Sequence, residues 1–251
     1  MPETRHEVVL ITGASAGIGR AAVQQFARRG ARIALIARDT ARLEAARAEA
    51  ERLGAAHAIA ISADMADHAQ VEAAAERAER ELGPIDIWVN NAMATVFAPF
   101  ADIAPDDFRR EWCKTTLTHH PKPIGTYFQP EVAARAIWWA AHARRAEICV
   151  GAPTLSTVLA EKFVPRLLDL YLARKGVSGQ QGPQSIPSDR PNNLWHPVPG
   201  PYAAHGTFDE GASTRSLQLW ATTHRTWLLA GVGAAAGLTG LALGLRQQRR
   251  H

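Results

Sequence analysis

Strand and helix patterns alternate over the first ninety residues, and this alternation limits the fold more than any other feature. Val8 to Thr12 is a short apolar run that ends in a glycine-rich turn. Ile18, Ala22 and Phe26 then recur at helical spacing, and Gly30 closes that helix. Ile33 to Ala37 is a second apolar run. Asp39 or Thr40 can cap the helix after it, which reaches Leu53 and stops at Gly54. His57 to Ser62 reads as a third strand. Val71, Ala75, Ala78 and Leu82 form the apolar stripe of a third helix, with Glu72, Glu76 and Glu79 on its wet side. Gly83-Pro84 breaks it. Ile85 to Asn90 is a fourth strand, apolar almost throughout, as a strand covered on both faces should be. The order β-α-β-α-β-α-β implies an α/β fold with a parallel sheet and helices on both faces.

After Asn91 the rhythm falters. Pro105 starts a short helix to about Trp112, and residues 114–130 show no clear strand. Glu131 to Arg144 reads as helix, with Val132, Ala136 and Trp139 or Ala140 on one face. Glu147 to Val150 is a short strand, a candidate fifth beside the fourth. A helix follows from about Val158 to Lys175, bent at Pro165. Three segments result: a folded domain over 1–175, a Pro- and Gly-rich connector over 176–225, and an apolar tail helix over 226–246.

Charge and cysteine content exclude some classes. Residues 1–175 carry 22 Lys/Arg against 21 Asp/Glu, and residues 176–251 carry 6 against 3. The net charge of +4 therefore sits mostly in the tail, and no basic face marks a nucleic-acid partner. Cys113 and Cys149 build no disulfide framework, and no signal-like segment opens the chain, which points to a reducing cytoplasmic setting. His119-His120 has no third ligand at metal spacing and reads as loop, so no metal site is expected.

The turn between the first strand and helix is Thr12-Gly13-Ala14-Ser15-Ala16-Gly17-Ile18-Gly19. Glycines at this spacing let the backbone turn sharply and approach a pyrophosphate, and they aim a helix N-terminus at it. A tight turn without a ligand is the alternative, but three glycines carry an entropic cost that a plain turn would not need. The pattern T-G-x-x-x-G-x-G, with Asn90-Asn91-Ala92 after the fourth strand, resembles the short-chain dehydrogenase/reductase superfamily. The resemblance spans residues 6–113 and resumes near Tyr127, at Tyr127-Phe128-Gln129-Pro130-Glu131-Val132-Ala133. It implies a Rossmann-like sheet in the order 3-2-1-4. It also implies a dinucleotide site built from Thr12, Gly13, Ser15, Gly17, Ile18, Gly19, Asn90 and Ala92. Met93 replaces the glycine that ends the family's N-N-A-G element.

The second strand tells the nucleotides apart. An acid at its end would accept the ribose hydroxyls of NAD and repel a 2′-phosphate. That position is Ala37, and Arg38 follows, whose guanidinium can hold the 2′-phosphate as a fork. NADP(H) is therefore the expected cofactor. Asp64, past the third strand, matches the family position that touches the adenine amino group. An N-cap is the other role open to it.

The catalytic set is not where the resemblance requires it. The family uses a tyrosine as acid or base, a lysine four residues on, a serine that polarises the carbonyl and an asparagine. No Tyr-x-x-x-Lys lies between Asn91 and Gly151. Tyr127 meets Glu131 at i+4, and the asparagine position holds Thr115. Tyr171 and Lys175 do show the spacing, and Ser156 stands 15 residues before Tyr171. The same segment reads as an amphipathic packing helix with Leu159, Phe163, Leu167 and Leu170 on its apolar side. Two functions stay open. One is an NADP(H)-dependent reductase acting on a small carbonyl or alcohol, impaired by the missing segment. The other is a non-catalytic nucleotide-binding or interaction module, or an inactive shortened gene product.

Trp227 to Leu245 is a run of 19 uncharged residues, long enough to meet a bilayer. Six are leucine and ten are alanine or glycine, so its apolar area is modest. Membrane contact by this tail is an expectation of the sequence.

Overall fold

The computed structural model describes residues 6–93, 96–97, 114–115, 119–121, 125–185, 203–206, 209–231 and 233. Its sheet has four parallel strands, β1 (Val8–Thr12), β2 (Arg32–Ala37), β3 (His57–Ser62) and β4 (Ile87–Val89), in the order β3-β2-β1-β4. Between them run α1 (Gly17–Ala27), α2 (Thr40–Arg52) and α3 (His68–Leu82). The Rossmann-like order expected from the alternation is the observed one.

The two-residue period of the strands sorts the core into two layers. Val9 and Ile11 of β1 and Ile33 and Leu35 of β2 join Ala22, Val23 and Phe26 of α1 and Leu43, Ala46 and Ala50 of α2. Val8, Leu10, Ala34, Ile36, Ile59 and Ile61 face the other way, onto Ala74, Ala78 and Leu82 of α3. The buried stripe of α3 therefore includes Ala74, where the pattern pointed to Ala75. Thr12, the last residue of β1, is the one buried polar side chain among the described residues.

The fourth strand departs from expectation. It spans three residues, and Trp88 is 42% exposed while Ile87 is half-buried. A strand apolar on both faces requires a cover on each, and among the described residues one side of β4 lacks it. Residues 147–150, expected as a neighbouring strand, are irregular. Ile148 and Val150 instead pack beside Val132, Ala136 and Leu219.

The later elements are β5 (Val96–Phe97), β6 (Lys114–Thr115), β7 (His119–Pro121), α4 (Pro130–His142), α5 (Ala152–Phe163), α6 (Pro165–Gly179), β8 (Gln181–Ser185) and α7 (Leu217–Thr223). The helix expected at Pro105 lies outside the described residues, as does Cys113. β5 pairs with β6 and β7 pairs antiparallel with β8, so the region read as strandless, His119-His120 included, holds short strands. Their partners are distant in sequence and carry no apolar alternation. Pro165 does more than bend a helix: the chain breaks at Val164, and two helices result.

α4 packs against α1. Arg29, two residues past the end of α1, lies 4.2 Å over the Trp138 ring, and the His142 ring meets Trp138 tilted, at 4.5 Å between centroids, while pairing with Glu7 at 2.9 Å. Such cation–ring contacts add to the burial of Ala134 and Ile137 against the same helix. α5 and α6 behave differently. They pack on each other, but Leu159, Phe163, Leu167 and Leu170 are exposed, the last three by more than half. The apolar side expected to pack is uncovered among the described residues.

No described helix is long and apolar enough to cross a membrane. Trp227 and Leu229, at the start of the apolar tail, are exposed, and most of that tail lies outside the described residues.

Candidate dinucleotide site

The carboxyl ends of the four parallel strands meet at one edge, and nearly every residue singled out for cofactor binding stands there. In open α/β sheets this edge is where ligands sit. Thr12 ends β1, Gly13 and Ser15 form the turn, and Gly17, Ile18 and Gly19 open α1. Arg38 follows β2, Asp64 follows β3, and Asn90 and Ala92 follow β4.

Each glycine of the turn answers a separate demand. Gly13 has a φ of +65°, and a Cβ there would stand 2.8 Å from Asn91 Nδ2. Gly19 has ordinary helical backbone, yet a Cβ would meet the Gly13 carbonyl oxygen and Asn91 Nδ2 head on. Gly17 is the opposite case. Its φ is +54°, which favours glycine, but the space beside its Cα is open, with no atom within 4 Å. Two glycines therefore serve close packing, and the middle one presents bare backbone to a cradle. α1 also begins without a side-chain cap and without an acid in its first turn. A helix N-terminus with no side-chain cap, beside a glycine with clear space at its Cα, suits a phosphate group.

A knot of hydrogen bonds holds this turn to the sheet. The Thr12 hydroxyl accepts from the backbone N–H groups of Asn91 and Ala92, both at 2.9 Å. It donates toward the Val89 carbonyl and Asn90 Oδ1 at 3.4 and 3.3 Å. The Asn91 amide donates to the carbonyls of Thr12 and Gly13, at 3.1 and 3.4 Å. The side chain that braces the turn is thus Asn91, which sequence reasoning passed over in favour of its neighbours. Its signal was the asparagine directly after the strand, since a short amide can satisfy the backbone of an adjacent turn.

Arg38 and Asp64 stand at neighbouring strand ends. Burial pulls the Arg38 guanidinium below its ordinary range, and the Asp64 carboxylate pushes it back. The N-cap of α3 is Asp67, whose carboxylate accepts from Ala69 and Gln70, so the cap role open to Asp64 falls to another residue. Asp64 accepts only from Ala66 two residues on, at 3.0 Å, among the side-chain bonds described for it. Asp39, the one acid beside Arg38 in sequence, caps α2 through Arg42 N and pairs with the Arg42 side chain at 2.9 Å. Its charge is met there by Arg42, whereas the Asp64 carboxylate acts on Arg38.

Tyr171, Lys175 and Ser156 are placed apart from this knot, on the α5–α6 hairpin. Tyr171 is 55% exposed, Lys175 is exposed, and the Ser156 hydroxyl donates to the Pro153 carbonyl of its own helix at 2.8 Å. An open cleft of about 410 Å³ lies by His119, Arg174, Ser178, Gln181 and Gly182, and contains none of the expected site residues.

One group at the site had no sequence signal. Residues 203–206, from the Pro- and Gly-rich connector, lie against the glycine turn. The Gly17 N–H donates to the Ala203 carbonyl at 2.9 Å, and Ala204 is buried with the α1 and α4 core. His205 meets Glu131 at 2.9 Å and Asp209 at 3.3 Å. Burial opposes its charge, but the two carboxylates outweigh that, and its pKa is raised. The stability such a raised histidine contributes stands in full below its ordinary pKa and fades as pH rises through the folded value.

Part of this chain is similar in sequence to known proteins. A family model described as short chain dehydrogenase matches residues 7–118. A sorbitol dehydrogenase of Cereibacter sphaeroides is 36% identical over 131 residues, covering 52% of this chain and 47% of that protein. An L-rhamnose 1-dehydrogenase (NAD(P)(+)) of Azotobacter vinelandii is 38% identical over 133 residues, covering 51% and 49%. A 3-dehydrosphinganine reductase of Danio rerio is 35% identical over 106 residues, covering 41% and 32%. The chain thus spans less than half the length of each of these relatives. Among solved structures, an L-sorbose reductase of Gluconobacter frateurii complexed with NADPH and L-sorbose is 33% identical, with a TM-score of 0.40 over 41% of this chain and 40% of that one.

Proposed function

Residues 7–118 belong to the short-chain dehydrogenase/reductase family, and on that premise we propose that the chain binds NADP(H) at the glycine turn. The observation that carries this reading is the clear space beside the Gly17 Cα at the start of α1, which has no side-chain cap, in a turn braced by Gly13, Gly19 and Asn91. Thr12, Gly13, Ser15, Gly17, Ile18 and Gly19 would hold the pyrophosphate. Arg38 would pair with the 2′-phosphate, Asp64 would meet the adenine, and Asn90 and Ala92 would line the far wall. For any turnover, bound NADPH would supply a hydride to a small carbonyl compound, or NADP would accept one from an alcohol.

The nucleotide preference is tested at Arg38. NADPH binds more tightly than NADH, and Arg38→Ala removes the difference, a loss of about 1.5–3 kcal/mol for a charge-assisted contact. Equal affinities in the unmodified chain, read by fluorescence titration, would exclude Arg38 as the discriminator.

Binding without turnover is the form of this function that the site favours. A reductase tyrosine must reach the substrate oxygen within hydrogen-bond distance. Tyr171 and Lys175 are exposed on the α5–α6 hairpin, and Ser156 spends its proton on its own helix. Ketone reduction by the chain is therefore slight or nil, and Tyr171→Phe leaves the rate of NADPH oxidation unchanged. Reduction at an ordinary enzymic rate that Tyr171→Phe abolishes would place the working site on that hairpin instead.

A further inference from the structure

The N–H that a pyrophosphate would use is already engaged. Gly17 donates to the Ala203 carbonyl, from a segment 186 positions later in the chain. Six further contacts fix that segment in place. Ala204 is 6% exposed in the core formed with α1 and α4. His205 bridges Glu131, at the start of α4, and Asp209. The Gln129 side chain meets His205 at 3.1 Å and donates to the Asp209 carbonyl at 3.0 Å. The Asp209 N–H donates to the Gly206 carbonyl, closing the segment on itself.

We propose that residues 203–206 are an autoinhibitory strap, which occupies the pyrophosphate position of the glycine turn and must leave before a dinucleotide binds. The proposal rests on the dinucleotide reading of that turn. The same N–H cannot serve the carbonyl and a phosphate oxygen together. A phosphate is the better partner, because a charge-assisted bond is stronger than a neutral one and the helix N-terminus favours an anion. The strap answers this by being tethered, which presents its carbonyl at a high effective concentration. The apparent affinity for the nucleotide then falls by the fraction of molecules in which the strap is open. His205 and its two carboxylates set that fraction, while Arg38, at the mouth of β2, is left to discriminate between nucleotides.

The full chain and its His205→Ala and Glu131→Gln variants are titrated with NADPH and with NADH. The strap requires both variants to bind both nucleotides about fivefold more tightly or better, with the NADPH-to-NADH ratio unchanged. A merely damaged fold would lower affinity, so the direction of change separates the two. Hydrogen exchange provides a readout without substitution: in the unmodified chain, peptides covering 203–206 exchange faster at saturating NADPH. Unchanged or weaker binding in the variants, or slower exchange at 203–206, would overturn the strap while leaving the nucleotide site standing. If neither the chain nor its variants binds NADPH or NADH at millimolar concentration, the dinucleotide reading fails and the strap with it.

Discussion

Gly19→Ala abolishes measurable NADPH binding and destabilises the domain. The new methyl group would collide with the Gly13 carbonyl oxygen and stand 2.5 Å from Asn91 Nδ2. Neither neighbour is a flexible side-chain end that can swing away at no cost. The carbonyl belongs to the turn, and the amide holds that turn to β4 through the Thr12 and Gly13 carbonyls. Relief therefore requires α1 to move off the turn or Asn91 to let go. Forcing one methyl into such packing costs about 1–3 kcal/mol. The functional loss is larger than the loss of stability, because any shift of α1 displaces the first-turn N–H groups from the phosphate position. Gly17→Ala is the control for stability alone, because its methyl group would enter the space proposed for the pyrophosphate. It meets open space and carries only the left-handed backbone penalty, about 1–2 kcal/mol. Urea denaturation and nucleotide titration read the two effects separately. An alanine at 19 that binds NADPH normally would mean that the glycine turn is not the cofactor cradle.

Thr12→Val is the second large effect, and it acts through hydrogen bonds alone. Valine keeps the shape of threonine and opens no cavity, but it removes the oxygen that accepts from Asn91 and Ala92. A buried donor left without a partner costs about 1–3 kcal/mol. Asn91 is half-buried and Ala92 exposed, so water can reach part of the freed backbone and holds the total near the lower half of twice that range. The expected result is a loss of about 2–4 kcal/mol in urea unfolding, with Thr12→Ser restoring most of it. Loss of nucleotide binding accompanies it, since the knot at the end of β4 positions the turn. A valine variant as stable as the unmodified chain would show that the turn is held by its glycines and not by Thr12.

Much of this chain was legible in its residues. The boundaries of β1 and β3 follow from apolar runs, and the order 3-2-1-4 from the strand–helix alternation with right-handed crossovers. The glycine turn was legible because its demand is local: a backbone conformation that only glycine meets freely, between a strand and a helix. Arg38 was placed by counting from the end of β2. These features depend on neighbours a few positions away, and periodicity records such neighbours.

What stayed hidden depends on partners far along the chain. Nothing in Ala203-Ala204-His205-Gly206 has a period, and a backbone carbonyl carries no residue type that could announce its partner. Only the fold brings it to the Gly17 N–H. The pairing of His119–Pro121 with Gln181–Ser185 is of the same kind. So is the exposure of Phe163, Leu167 and Leu170, since an amphipathic pattern says that a face seeks cover but not whether cover exists. Asp64 and Asp67 illustrate the boundary between the two. Both are short acids before a helix, and the sequence allows either to cap it. The geometry that decides is where the first turn of α3 begins, which the packing of Ala74, Ala78 and Leu82 on the sheet fixes. Local chemistry thus determined the sheet order and the glycine turn at its edge. The tertiary structure alone decided what lies against that turn, because the carbonyl that meets Gly17 comes from a distant stretch of the same chain.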